Sequence, residues 1–72
     1  MKKVFRMEDL ECANCAAKME EAISRLEGVQ SVGVSFMAQK LTISAEDHLF
    51  DAILAQAQKI VSKIEPDCVI VR

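Results

Sequence analysis

Seventy-two residues, 51% hydrophobic and 28% charged with a formal net charge of −2, describe one folded domain spanning 1–72, with a small core and no room for a second. The acidic balance and the lack of Trp and Tyr exclude the basic, base-stacking surface by which nucleic acids are usually bound. No apolar run approaches the ~18 residues of a membrane span, and MKKVFRMEDLEC meets Arg6, Glu8 and Asp9 before a signal-like apolar stretch develops, so direct membrane insertion is not expected and a cytoplasmic location is.

From Lys2 to Glu8, Phe5 and Met7 alternate with polar residues, which predicts a strand ending in the Glu8-Asp9 loop. From about Asn14 to Glu27, Cys15, Ala16, Met19, Ile23 and Leu26 fall at helical spacing, with Gly28 as the expected C-terminal stop. Val32, Val34 and Phe36, then Leu41 and Ile43, alternate with polar residues around Met37-Ala38-Gln39, predicting a hairpin. Asp47 or a neighbour is expected to cap a second helix, whose stripe runs Phe50, Ile53, Leu54, Ala57, Ile60, Val61, Ile64 until Pro66 stops it. Asp67 to Arg72 carries the β-branched run of a last strand. The order β-α-β-β-α-β predicts an α+β, ferredoxin-like sandwich, a four-stranded antiparallel sheet with both helices on one face.

That topology brings the first strand-helix loop, the hairpin and the turn after the second helix to one end. Glu11, Cys12 and Cys15 are therefore expected near Met37, Asp67 and Cys68, with His48 at the opposite end.

Three cysteines in a chain without an export signal suit free thiols in a reducing compartment better than a disulfide framework. Cys12 and Cys15, three residues apart where a helix opens, can turn both sulfurs toward one point. The helix N-terminus favours the thiolates that bind metal. Thiolate softness selects ions such as Cu(I), Zn(II) or Cd(II) over Mg or Ca. Two thiolates satisfy Cu(I), whereas Zn(II) prefers four ligands, so a divalent ion needs further donors. Glu11 is the nearest candidate, Cys68 and Asp67 follow by topology, and solvent can complete the shell.

Each of these residues also has a plainer role. Glu11 near a helix start is favoured by the dipole without any metal, Cys68 reads as a small buried apolar residue, and Asp67 as a turn residue. His48 reads as a solvated loop residue and Met37 as a hairpin residue, with Met7, Met19, Phe5, Phe36 and Phe50 in the core.

The stretch LECANCAAKMEEAISRLEGVQSVGVSF, with its C-x-x-C pair, its Leu26-Glu27-Gly28-Val29 helix exit and its Val32-x-Val34 strand, resembles the heavy-metal-associated domain of copper chaperones and of metal-exporting P-type ATPases. The resemblance covers essentially the whole chain. It implies a non-catalytic carrier or regulatory module that takes a soft ion as thiolates and passes it by ligand exchange to a partner's cysteines. Where the copper branch usually has Gly-Met before x-Cys-x-x-Cys, this chain has Asp9-Leu10-Glu11, and an acidic residue directly before the first cysteine resembles the zinc, cadmium and lead branch.

The expected function is thus Zn(II), Cd(II) or Pb(II) binding, ahead of Cu(I), in the cytosolic N-terminal domain of a metal-transporting ATPase. The partner is that ATPase, in cis or in trans. A stand-alone Cu(I) metallochaperone is the nearest alternative, and an ion-bridged dimer is open to exposed thiol pairs. A thiol-disulfide oxidoreductase would use the same C-x-x-C, but the chain is shorter than a thioredoxin-like domain. A purely structural or interaction domain would leave both cysteines without a role. The apolar pattern is complete without metal, so folding is expected not to require it.

Overall fold

In the computed structural model, which describes residues 1–71, the chain runs β1 (Lys2–Glu8), α1 (Ala13–Ser24), β2 (Val29–Ser35), β3 (Lys40–Ala45), a 3-10 turn (Asp47–Leu49), α2 (Phe50–Ile64) and β4 (Val69–Val71). The strands pair antiparallel in the order β2-β3-β1-β4. With both helices laid on one face, this is the ferredoxin-like α+β sandwich expected from the element order. Arg72 lies outside the described residues.

The alternation of the strands places Met7, Leu41, Ile43, Ala45 and Ile70 on the inner face. Residues three and four apart on the helices meet them: Ala16, Met19 and Ile23 from α1, and Phe50, Ile53, Leu54, Ala57 and Val61 from α2. Phe5 is half-buried, its ring 6.3 Å from that of Phe50.

Four local expectations differ from the structure. Strand β4 starts at Val69 and not at Asp67, which lies with Cys68 in the turn after α2. Helix α1 stops at Ser24 and not at Glu27, because Arg25 and Leu26 donate to the carbonyls of Ala22 and Ile23, tightening the exit into 3-10 turns. Gly28, at φ 93°, then turns the chain into β2. Phe36 belongs to the Phe36–Gln39 turn and not to a strand. Asp47 does not cap α2: it opens the 3-10 turn, and its carboxylate pairs with Lys3 at 3.3 Å.

The two edge strands would ordinarily leave backbone groups open to another chain. On β2, Val34 N–H donates to the Glu20 carboxylate of α1 at 2.9 Å. On β4, Ile70 N–H donates to Gln58 Oε1 at 2.8 Å, and Gln58 Nε2 donates to the Cys68 carbonyl at 3.3 Å and to Ser62 Oγ at 2.9 Å. Each helix is thereby fastened to a sheet edge, which fixes where the α1 N-terminus and the α2 C-terminus come to rest.

Candidate metal centre

Those two helix ends and the β2–β3 turn share one end of the sandwich. The chain leaves β1 through Asp9 at φ 61°, buries the Leu10 side chain in the core, and reaches Cys12 with an extended backbone. Cys12 is the N-cap of α1. Its Sγ accepts the Cys15 N–H at 3.2 Å, and its carbonyl accepts the Ala16 N–H at 3.0 Å. A cysteine sulfur thus takes the place of the usual Ser, Thr or Asp oxygen at this helix start. Cys15, one turn in, is half-buried against the core.

Electrostatics splits the pair. The Cys15 thiol donates to the Cys12 sulfur, its backbone N–H does the same, and together they lower the Cys12 pKa. Cys15 is pushed up to about 11, chiefly because its proton is engaged by Cys12, and further by desolvation and by the negative charges of Cys12 and Glu65. The metal-free pair is therefore a Cys12 thiol that gives up its proton more readily than an ordinary cysteine, beside a protonated Cys15.

The third member is Glu65. Ligand atoms of Cys12, Cys15 and Glu65 all lie within 4.8 Å of one another, close enough that small side-chain rotations bring two sulfurs and a carboxylate oxygen onto one ion. Glu65 caps the C-terminus of α2, donating its N–H to the Val61 carbonyl at 2.8 Å. Its Oε2 accepts the Glu11 N–H at 3.3 Å, joining the end of α2 to the loop before Cys12.

The other expected candidates lie differently. Glu11 is exposed, and its carboxylate is not in the three-residue group; it lines a depression of about 270 Å³ beside Cys15, together with Asp9, Glu65 and Asp67. Cys68 sits in the same turn, its N–H bonded to the Glu65 carbonyl at 3.0 Å, but its side chain is wholly buried in the core and burial pushes its thiol pKa up. Met37 is almost fully exposed on the β2–β3 turn. His48, at the far end, lies 3.6 Å from the Glu46 carboxylate.

Glu65 escaped the sequence reading because a glutamate before Pro66 looks like an ordinary helix exit. The signal was in the topology, which already placed Asp67 and Cys68 at this end; Glu65 is two residues before Asp67, capping the end of a helix that points there.

Fold and site together define a class: a small ferredoxin-like module presenting two cysteines, with a carboxylate beside them, where a helix opens at the end of the sheet. Comparison with known proteins makes this specific. The model of the heavy-metal-associated domain matches residues 4–68, and the chain belongs to that family; it is accordingly a non-catalytic, heavy-metal-binding module.

The chain is 30% identical, over 66 residues and 92% of its length, to a cadmium, zinc and cobalt-transporting ATPase of Bacillus subtilis, of which the match covers 9%. It is 33% identical to the copper chaperone CopZ of Enterococcus hirae, over 89% of this chain and 86% of that one. Among solved structures, the Cu(I)-loaded N-terminal domain of a potential copper-translocating P-type ATPase from Bacillus subtilis superposes with a TM-score of 0.70 at 26% identity, over 89% of this chain and 78% of that one. The CsoZ metallochaperone superposes at 0.75 over 100% of this chain and 97% of that one, and at 21% identity shows the shared fold. The chain thus spans less than a tenth of the length of the transporting ATPase it matches. No described helix is long and apolar enough to cross a membrane.

Proposed function

We propose that this domain takes up a soft divalent ion, Zn(II), Cd(II) or Pb(II), through the thiolates of Cys12 and Cys15 with the Glu65 carboxylate as third donor. It passes the ion by ligand exchange to a metal-transporting ATPase, either as that protein's own N-terminal domain or as a separate carrier. The observation that carries this reading is the convergence of Cys12, Cys15 and Glu65 within 4.8 Å.

Local electrostatics supports a cation there. The sulfurs sit at a helix N-terminus, where N–H groups and the dipole stabilise thiolates. Glu65 sits at a helix C-terminus, where the dipole opposes a negative charge, and Asp9, Glu11 and Asp67 line the same depression. A divalent ion relieves that repulsion. A carboxylate oxygen is a donor Zn(II) or Cd(II) uses readily and Cu(I), content with two thiolates, does not need.

Several relatives are described as cadmium- or zinc-transporting ATPases, which agrees with a divalent cargo. Cu(I) carriage by the thiol pair alone is the second reading, favoured by the match to the copper chaperone over 89% of this chain and 86% of that one.

Half-exposed sulfurs leave room for an incoming thiolate, so transfer proceeds through shared-ligand intermediates. The test is the rate at which the Cd(II)-loaded domain gives up its ion to an added dithiol under anaerobic conditions. The rate should rise with dithiol concentration, and Cys12→Ser with Cys15→Ser should hold no Cd(II). A release rate indifferent to the dithiol would contradict ligand exchange.

A further inference from the structure

The three groups at this site are not equally well anchored. Cys15 is fixed by the first turn of α1, and Glu65 by the end of α2. Cys12 is tied to α1 by the Cys15 and Ala16 N–H groups, but its own backbone is extended and lies outside the helix, so the placement of its sulfur depends also on the run of residues 10 to 12.

Across from that segment stands Gln39, the last residue of the β2–β3 turn. Its side-chain amide grips the Leu10 backbone on both sides: Oε1 accepts the Leu10 N–H at 3.1 Å, and Nε2 donates to the Leu10 carbonyl at 2.6 Å. The same Nε2 donates to the Phe36 carbonyl at 2.8 Å, and the Gln39 carbonyl accepts the Met7 N–H at 2.7 Å. Only one amide orientation satisfies these bonds, since two carbonyls need the NH₂ and one N–H needs the oxygen. Gln39 holds this grip from a left-handed backbone, φ 55°, a conformation a glutamine adopts at some cost.

We infer that Gln39 is a positioning residue of the metal site: by clasping both backbone groups of Leu10 it sets the Cys12 sulfur relative to Cys15 and Glu65, and so slows loss of a bound ion. The inference rests on the metal-binding reading above, to which it adds a residue that touches neither the ion nor the sulfurs. Preorganised ligands bind tighter because less ordering is left for the binding step, and supporting contacts of this kind govern metal retention.

Two variants separate positioning from folding. Gln39→Gly removes the clasp while relieving the left-handed backbone, so part of the lost stability returns. Gln39→Glu keeps size and one acceptor but sets a carboxylate against two carbonyl oxygens. In both, the Leu10 amide should exchange with deuterium faster while core amides such as that of Ile43 stay protected. Both should release Cd(II) to a competing chelator about tenfold or more faster than wild type, with a shifted sulfur-to-cadmium charge-transfer band, and Gln39→Gly should melt nearer to wild type than Gln39→Glu.

An unchanged Leu10 amide would overturn the clasp. A deprotected Leu10 amide with wild-type Cd(II) release and spectrum would overturn the positioning role. A wild-type domain that protects Leu10 yet holds no Cd(II) would instead overturn the metal-binding reading, and the positioning role with it.

Discussion

Proton release on metal binding follows from the asymmetry of the thiol pair. In the metal-free domain Cys15 holds its proton up to about pH 11, while the Cys12 value is lowered by the two hydrogen bonds from Cys15. An ion bound to both sulfurs as thiolates must expel the Cys15 proton at any pH below about 11. It expels the Cys12 proton only below the Cys12 pKa. The number of protons released per ion should therefore fall from two to one as pH rises through the Cys12 value, and to zero only above that of Cys15. Apparent affinity should rise by a factor of about ten per pH unit for each proton displaced, so tightening with alkali is steepest on the acidic side.

Calorimetric titration with Cd(II) in buffers of different protonation enthalpy counts these protons directly. Finding no proton released at neutral pH would refute the assignment, since it would mean that Cys15 is already a thiolate or is never a ligand. Alkylation of the metal-free domain supplies an independent check: Cys12 should react first, and a faster Cys15 would reverse the order derived from their hydrogen bonds.

Other residues make separate claims. Gln58→Ala removes three hydrogen bonds and exposes the β4 edge; at about 1 kcal/mol of net stabilisation each, the loss is roughly 2–3 kcal/mol, or roughly 10–20 °C in melting temperature for a domain of this size, and a shift of only a degree or two would show that the edge is held otherwise. Cys68→Ser places a hydroxyl among apolar side chains where the thiol is wholly buried and should cost about 1–3 kcal/mol in chemical denaturation, while Cd(II) affinity stays at the wild-type value; a large loss of affinity in the folded variant would make Cys68 a ligand after all. Glu11→Ala should weaken Zn(II) and Cd(II) less than Glu65→Ala, because Glu11 reaches the group through its backbone N–H, which alanine retains; the opposite order would return the third-donor role to Glu11.

The element order and the meeting of three connections at one end were legible because periodic burial and a short hairpin leave few ways to fold such a chain. Stripes such as Ala16, Met19 and Ile23 report which face is buried and were readable as they stood. What escaped the sequence was polar and long-range. Glu65, Gln39 and Gln58 are ordinary in their local context, and each acquires its role only from a backbone group or sulfur distant in sequence. The end of α1 and the fate of Asp47 were misplaced for a related reason. A glycine and an acidic residue suggested a stop and a cap, but hydrogen bonding at the helix exit and the Lys3 ammonium decided between alternatives that local sequence leaves open. The C-x-x-C pair was visible because its spacing alone carries the chemistry.

The most direct test of the three-donor site is the affinity for Cd(II) and for Cu(I), measured anaerobically by chelator competition on wild type and on Glu65→Ala. Losing the Glu65 carboxylate should weaken Cd(II) by about tenfold or more and leave Cu(I) unchanged, since two thiolates suffice for it. Equal Cd(II) affinity in the two proteins would contradict a three-donor site, and would leave Cys12 and Cys15 as the whole of the site.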